Sequence, residues 1–383
     1  MYTHTHGSNV WVCVHISTHA SGSHTHTMRF PALTGVRGLA ALYVFVFHYG
    51  EIGCDDVSWL LAQNGRVAVS MFFCLSGFLM THTYGHCAMA SRDCVLSFWW
   101  KRVARLMPAY YASLLLSVHD VQCVWSDGGC GAWKWVDMAM HALGVGTWMP
   151  FRPNSSHWNL VAWSVQTEMG FYLMFPLLSR AMRRGHWWLW VAGAVACTTL
   201  PSVIIIGVLG ETGWWALYAM PWTRVGEFAL GMLVAARYSN IRTIEWRDID
   251  AVIVCILVVC AGVLDANWCA YGLLAVPLCA FLVMCTKETT LVARVLSHPT
   301  AVHAGEISYC FYLVHLVWPG LGEVLGYASD AGANLAAMYF LLSLSAGALL
   351  HRYVEVPAYD AAMRVTTTRC VCEKTTCVHP VTV

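Results

Sequence analysis

From about residue 32 onward the chain runs again and again for close to twenty residues with hardly a charge. A helix needs about 20 such residues to cross ~30 Å of hydrocarbon. The runs cover about 32 to 50, 66 to 84, 103 to 120, 158 to 179, 187 to 209, 213 to 236, 249 to 266, 268 to 286, 303 to 322 and 333 to 350. They predict an all-α, polytopic integral membrane helical bundle with about ten transmembrane helices. Composition agrees: 58% of the 383 residues are hydrophobic and only 11% are charged, under half the share in a soluble domain. Mean hydropathy is +0.56. No basic face of the kind that nucleic-acid binding needs is visible.

The spread of Lys and Arg sets an expected orientation. Arg29 precedes the first run, and Glu51, Asp55 and Asp56 follow it. Basic clusters then follow the even-numbered runs: Arg92, Lys101, Arg102 and Arg105; Arg180, Arg183 and Arg184; Arg237, Arg242 and Arg247; Lys287 and Arg294; Arg352, Arg364 and Arg369. All fall on one side if residues 133 to 150 do not span. Both termini are then cytoplasmic, and residues 119 to 157 form an external loop, in part re-entrant, where Asn154-Ser155-Ser156 is a glycosylation sequon usable in a eukaryote. The domain reading is a tail over 1–28, a membrane domain over 29–360 and a second tail over 361–383.

The first tail holds six histidines in a Ser/Thr-rich setting and is read as disordered. Of the 17 cysteines, Cys74, Cys197, Cys255, Cys260, Cys279 and Cys310 lie in apolar runs and act as small hydrophobes. Cys123 and Cys130 could pair in an extracytoplasmic loop, although spacing alone does not fix pairing. Cys370, Cys372, Cys377 and His379 belong to a loose tail, and no metal site is expected.

Ionisable groups inside a span cost about 2.5–3.5 kcal/mol at its centre and usually face the bundle interior, so they are candidates for function. Here they are Arg37, His48, Arg66, Glu168, Arg224, Glu227 and His315, with His351 and Glu355 at the end of the last run. Arg37 and His48 are eleven positions apart in GVRGLAALYVFVFH, close to three turns. They share a face about 16 Å apart along the axis. A snorkelling arginine with a histidine at the helix end is the plainer reading. In KRVARLMP, Arg102 and Arg105 share a face just outside the second run and suit a phosphate or a membrane-edge anchor. Trp163, Ser164, Gln166 and Glu168 open a span that is apolar afterwards. Glu168 needs a partner, which Arg224 or His48 could supply. Arg224 and Glu227, at i and i+3, could instead satisfy each other.

These stretches, in this order, resemble the integral-membrane acyltransferase family 3, which O-acetylates cell-surface polysaccharides and related acceptors. The family's arginine and histidine in the first span are matched by Arg37 and His48. Its FFxLSGFL signature is matched by FFCLSGFL at 72–79, and its R-x-x-R-x-x-P element by Arg102, Arg105 and Pro108. WSVQTEMGFY at 163–172 is similar to its WSLSVE-x-x-FY, with Gln166 for the usual serine. Arg224, Glu227, Phe228 and Gly231 match R-x-x-EF-x-x-G. ISYCFYLVH at 307–315 is similar to ISYSLYLWH, with Val314 for the usual tryptophan. Tyr353, Glu355 and Pro357 match Y-x-E-x-P. The resemblance covers residues 30 to 360.

The resemblance implies acyl transfer from a cytoplasmic acyl-coenzyme A, a co-substrate rather than a cofactor, to a hydroxyl of a carbohydrate or lipid-linked glycan. It implies a multi-pass protein of the plasma (inner) membrane or a secretory-pathway membrane, in contact with lipid. His48 would be general base or transient acyl carrier. Arg102, Arg105 and Arg37 would hold the donor's phosphates or thioester end, Glu168 would orient His48 and Ser164 would face the oxyanion. Arg66, Trp163, Arg224, Glu227, Tyr309 and His315 complete the implied substrate site. A transporter of an acyl group or small organic anion would also hide charges in its spans, but the internal repeats common in transporters are missing. An inactive member of the same fold remains the other alternative.

Overall fold

In the computed structural model the described residues are 30–49, 65–85, 89, 91–120, 132–148, 158–209, 218–241, 243–264, 271–287, 289–324 and 332–367. Among them there is helix and turn but no strand. The helices are α1 (Pro31–Tyr49), α2 (Arg66–Tyr84), α3 (Arg92–Leu116), α4 (Ala132–Ala142), α5 (Trp163–Met182), α6 (Trp187–Leu209), α7 (Pro221–Ala236), α8 (Asp248–Leu264), α9 (Tyr271–Cys285), α10 (Leu291–Leu296), α11 (Pro299–Val314), α12 (Val317–Val324), α13 (Gly332–Leu350) and α14 (Val356–Thr367). A π-turn over His351–Glu355 joins the last two.

Each of the ten apolar runs is helical over most of its length. Three segments among the described residues are long and apolar enough to cross a membrane: Pro31–Tyr49, Arg66–Tyr84 and Asn334–Arg364. That is fewer than the ten crossings expected. Helices α7, α8, α9 and α11 have 16, 17, 15 and 16 residues, short of the about 20 that ~30 Å of hydrocarbon asks for. Two boundaries also differ from expectation. The stretch 119–157, read as a loop, contains α4. The expected tail from residue 361 begins inside α14. The N-terminal tail, Cys123, Cys130, Asn154 and the terminal cysteines lie outside the described residues.

Local chemistry sets the helix starts. Ser91 is extended and accepts from the Cys94 amide at 3.2 Å, capping α3. Thr290 does the same for α10 through the Ala293 amide at 3.2 Å. Pro221 and Pro299 open α7 and α11, where a missing N–H costs nothing.

The outer surface is greasy: Leu39, Leu42, Val46, Leu173, Leu177, Ile253, Leu257, Leu341 and Leu349 are all exposed. Apolar exposure on this scale marks a surface that meets something other than water, and it fits the expected lipid contact. The inside is knit by aromatics. The Phe171 ring lies 5.0 Å from both Phe73 and Phe228, a spacing at which ring pairs attract beyond their area burial.

Glycines allow the helix axes to approach. A Cβ on Gly77 of α2 would lie 2.0 Å from the Phe228 carbonyl oxygen, and one on Gly231 of α7 would lie 2.0 Å from that of Cys74. The FFCLSGFL and RVGEFALG stretches are therefore two sides of one interlock. The same holds between α1 and α11. A Cβ on Gly38 would lie 2.9 Å from the Gly305 amide nitrogen, and one on Gly305 would lie 1.9 Å from the Thr34 carbonyl oxygen.

Candidate active site

Helices α1, α2, α3, α5 and α11 surround a cavity of about 160 Å³. Three guanidinium groups line it: Arg37 from α1, with Arg102 and Arg105 from α3. One carboxylate, Glu168 of α5, lines it too, with Ser76, Ser164, Tyr172, Tyr309 and Tyr312. Three cations against one anion in a space this small favour an anionic occupant.

Each charge is held differently. Arg102 donates through Nη2 to the Tyr84 hydroxyl at 2.9 Å and lies over the Tyr84 ring. Among the described residues its buried Nε–H has no hydrogen-bond partner, a costly state for a donor unless a ligand satisfies it. Arg105 pairs with Glu355 at 2.9 Å. Glu355 is 0% exposed, and it is also contacted by His351 Nδ1 at 2.8 Å and by the Cys310 thiol at 3.2 Å. The π-turn points Glu355 inward, and π-turns are common at functional sites. Arg37 makes no hydrogen bond among the described residues and feels the fields of Arg105, Glu355 and Glu168. It keeps donors available for an incoming group.

Glu168 accepts from the Ser76 and Tyr172 hydroxyls, both at 2.6 Å. Those hydroxyls take the place of the partners expected from sequence, Arg224 and His48. The carboxylate is held by these bonds, while the described partners of His48 are Val44 and His315. Tyr172 lies four residues along the same helix, a spacing that brings side chains together. The signal was therefore present in WSVQTEMGFY. Ser76 gave no signal beyond its place in FFCLSGFL.

His48 lies on α1, beyond the cavity as seen from Arg37. Its Nδ1 is 2.9 Å from the Val44 carbonyl oxygen and 3.0 Å from Nε2 of His315. His315 Nδ1 is 2.6 Å from the Tyr312 carbonyl oxygen. Tyr312 also lines the cavity, so the histidine pair begins one turn from its wall. Ser164 donates to the Tyr312 hydroxyl at 2.8 Å, and Tyr312 in turn donates to the Val161 carbonyl at 3.2 Å. Tyr309 lines the cavity and donates to the Leu106 carbonyl at 2.8 Å.

Other residues expected in the site lie outside the cavity wall. Arg224 and Glu227 pair at 3.0 Å and are 1% and 0% exposed. Arg224 also donates to the Ser70 hydroxyl at 3.0 Å and to the Tyr218 carbonyl at 2.9 Å. Of the two readings of that motif, the local pair is found, and through Ser70 it braces the α2–α7 interlock. Trp163 packs on Phe73 and Tyr218. Arg66, at the start of α2, is absent from the cavity wall.

Comparison with known proteins bears on this arrangement. A family model described as an acyltransferase domain matches residues 30–352. "Acyltransferase MdmB" of Streptomyces mycarofaciens is 30% identical over 363 residues, covering 86% of this chain and 92% of the relative. A "Putative O-acetyltransferase" of Staphylococcus aureus (strain COL) is 24% identical over 370 residues, again 86% of this chain but 57% of the relative. This chain thus spans little more than half the length of the staphylococcal protein. "Protein 2 in picA locus" of Rhizobium radiobacter is 36% identical over 101 residues, 26% of this chain. No solved structure matches. With the family model covering most of its length, the chain belongs to the acyltransferase family 3.

Proposed function

We propose that the protein is a multi-pass membrane O-acyltransferase that moves an acyl group, by resemblance an acetyl, from cytoplasmic acyl-coenzyme A to a hydroxyl of a carbohydrate or glycolipid. The observation that carries this reading is the cavity with Arg37, Arg102 and Arg105 on its wall, one turn from a histidine pair. The guanidinium groups suit the phosphates and thioester oxygen of such a donor. His48 acts as base. Its Nε2 takes the acceptor's hydroxyl proton while the hydroxyl oxygen bonds to the acyl carbon. The carbon–sulfur bond then breaks, and the proton passes from His48 to the departing thiolate. Ser164 and Tyr312, hydrogen-bonded to each other on the cavity wall, would support the developing oxyanion once a hydroxyl proton turns from its present acceptor toward it.

In this reading the ten helical runs cross the plasma (inner) membrane or a secretory-pathway membrane, with both termini cytoplasmic. The donor enters at Arg37 and the acceptor arrives at His48.

The test is turnover of labelled acetyl-coenzyme A by protein purified into nanodiscs, with and without a panel of glycan and glycolipid alcohols. Thiol release that depends on an acceptor, and is lost in His48→Ala at unchanged thermal stability, is expected. Uptake of the acyl group into vesicles without acceptor modification overturns the reading in favour of transport.

A further inference from the structure

The pairing of His48 with His315 holds more information than either residue alone. Both Nδ1 atoms face main-chain carbonyl oxygens, His48 at 2.9 Å from Val44 and His315 at 2.6 Å from Tyr312. A carbonyl oxygen only accepts, so each Nδ1 carries the proton in the neutral ring. His315 Nε2 is then a lone-pair acceptor. It lies 3.0 Å from His48 Nδ1, whose proton is shared between Val44 and His315. The remaining nitrogen, His48 Nε2, is left with its lone pair.

We infer that His315 is the positioning residue of the acyl-transfer step: it fixes His48 in the tautomer whose Nε2 is the free base, and it accepts from His48 Nδ1–H while the ring carries the acceptor's proton. A carboxylate commonly does this for a catalytic histidine. Here the carboxylate on the cavity wall, Glu168, is engaged by Ser76 and Tyr172, and an imidazole takes that part. The inference rests on the acyl-transfer reading above, with a thioester as donor.

His315 is built to hold still. It is 1% exposed and stacks on Phe311 at 6.3 Å and 12°. Its own carbonyl accepts from the Tyr49 hydroxyl at 2.6 Å, one residue beyond His48 on α1. Two contacts thus tie the His48–Tyr49 end of α1 to the end of α11. During transfer the acceptor's proton sits on His48 Nε2 until the carbon–sulfur bond breaks, then passes to the thiolate. His315 gains and loses no proton of its own.

The test compares His315→Ala, His315→Gln and His48→Ala in the nanodisc assay, with thermal stability measured on each. Glutamine can place its carbonyl oxygen where Nε2 of His315 lies and accept from His48. His315→Ala is expected to lower kcat by about 10- to 100-fold, the worth of a hydrogen bond to a charged group, with the KM for acetyl-coenzyme A unchanged. His315→Gln is expected to recover most of that loss. Nitrogen-15 NMR of histidine-labelled protein reads the tautomer directly: the Nδ1–H form of His48 in the parent, a mixture in His315→Ala. The inference is overturned if His315→Ala keeps the parent kcat, if its loss is all in KM, or if glutamine rescues no better than alanine in variants of equal stability. If His48→Ala turns over normally, His48 is not the base and the inference falls with it; if the parent itself shows no acceptor-dependent thiol release, it is the acyl-transfer reading that fails instead.

Discussion

Changing Gly305 to alanine tests whether the meeting of α1 and α11 sets the histidine pair. The new Cβ would lie 1.9 Å from the Thr34 carbonyl oxygen and 2.5 Å from the carbonyl carbon. Both are main-chain atoms and cannot swing aside. A carbon and a carbonyl oxygen settle near 3.3–3.6 Å at closest, so the two helices must part by about 1.4 Å. His315 is ten residues further along α11, about 15 Å from the clash, and α1 runs beside it to His48. A separation carried along the helices would stretch the 3.0 Å contact between the rings past 4 Å, too long for a hydrogen bond. The expected outcome is a fall in kcat of about 10- to 100-fold. The stability loss should be about 1–3 kcal/mol, as for other overpacked sites, partly offset by alanine's better helix propensity. Gly193 on α6 is the control, because nothing lies within 4 Å of a Cβ there. Gly193→Ala should keep full turnover and melt no lower than the parent. The assay is acceptor-dependent thiol release with thermal melting of both variants in nanodiscs. Parent-like kcat and melting in Gly305→Ala would refute the reasoning, since the helices would then have slack to absorb a methyl group without moving the histidines.

Three further outcomes are expected. Arg102→Ala should raise the KM for acetyl-coenzyme A about tenfold and leave that for the acceptor nearly unchanged, as steady-state kinetics with each substrate varied will read. Arg224→Ala strips a partner from Glu227, which is 0% exposed, and should cost about 3–5 kcal/mol; a large drop in melting temperature is the readout, and a stable variant with only a donor KM defect would return Arg224 to the substrate site. Glu355→Gln weakens the 2.9 Å pair with Arg105 and should raise the donor KM severalfold with little change in kcat.

Much of the helical layout can be read from hydropathy alone. The first two apolar runs agree with α1 and α2 to within a residue or so. The third does not, because α3 begins at Arg92, where polar and charged residues mask the helix from a hydropathy window. The last run ends at 350 by composition, yet helix continues to Thr367. His351, Arg352 and Glu355 read as an end only because hydropathy cannot tell a charged residue facing a buried partner from one facing water. The site was legible in part. Arg37, Arg102, Arg105, Glu168, Ser164 and Tyr309 share the cavity wall. Of the partners of Glu168, Tyr172 could be read from its place four residues along the helix, but Ser76, 92 residues away, could not. Nor could the meeting of His48 with His315 be read, because residues 267 apart are joined by packing rather than by any local period.

The turn at His351–Glu355 holds one residue more than an α-helix would place there. It is an insertion that leaves α13 and α14 in phase: with bonds of the i→i+5 kind, five residues wind through about the angle that four cover at 100° each in an α-helix. Deleting one residue of the turn other than Glu355 should restore ordinary winding and leave α14 in its place. Adding one should instead turn α14 by about 100° and carry the Ala362 carbonyl away from the Trp100 indole that donates to it.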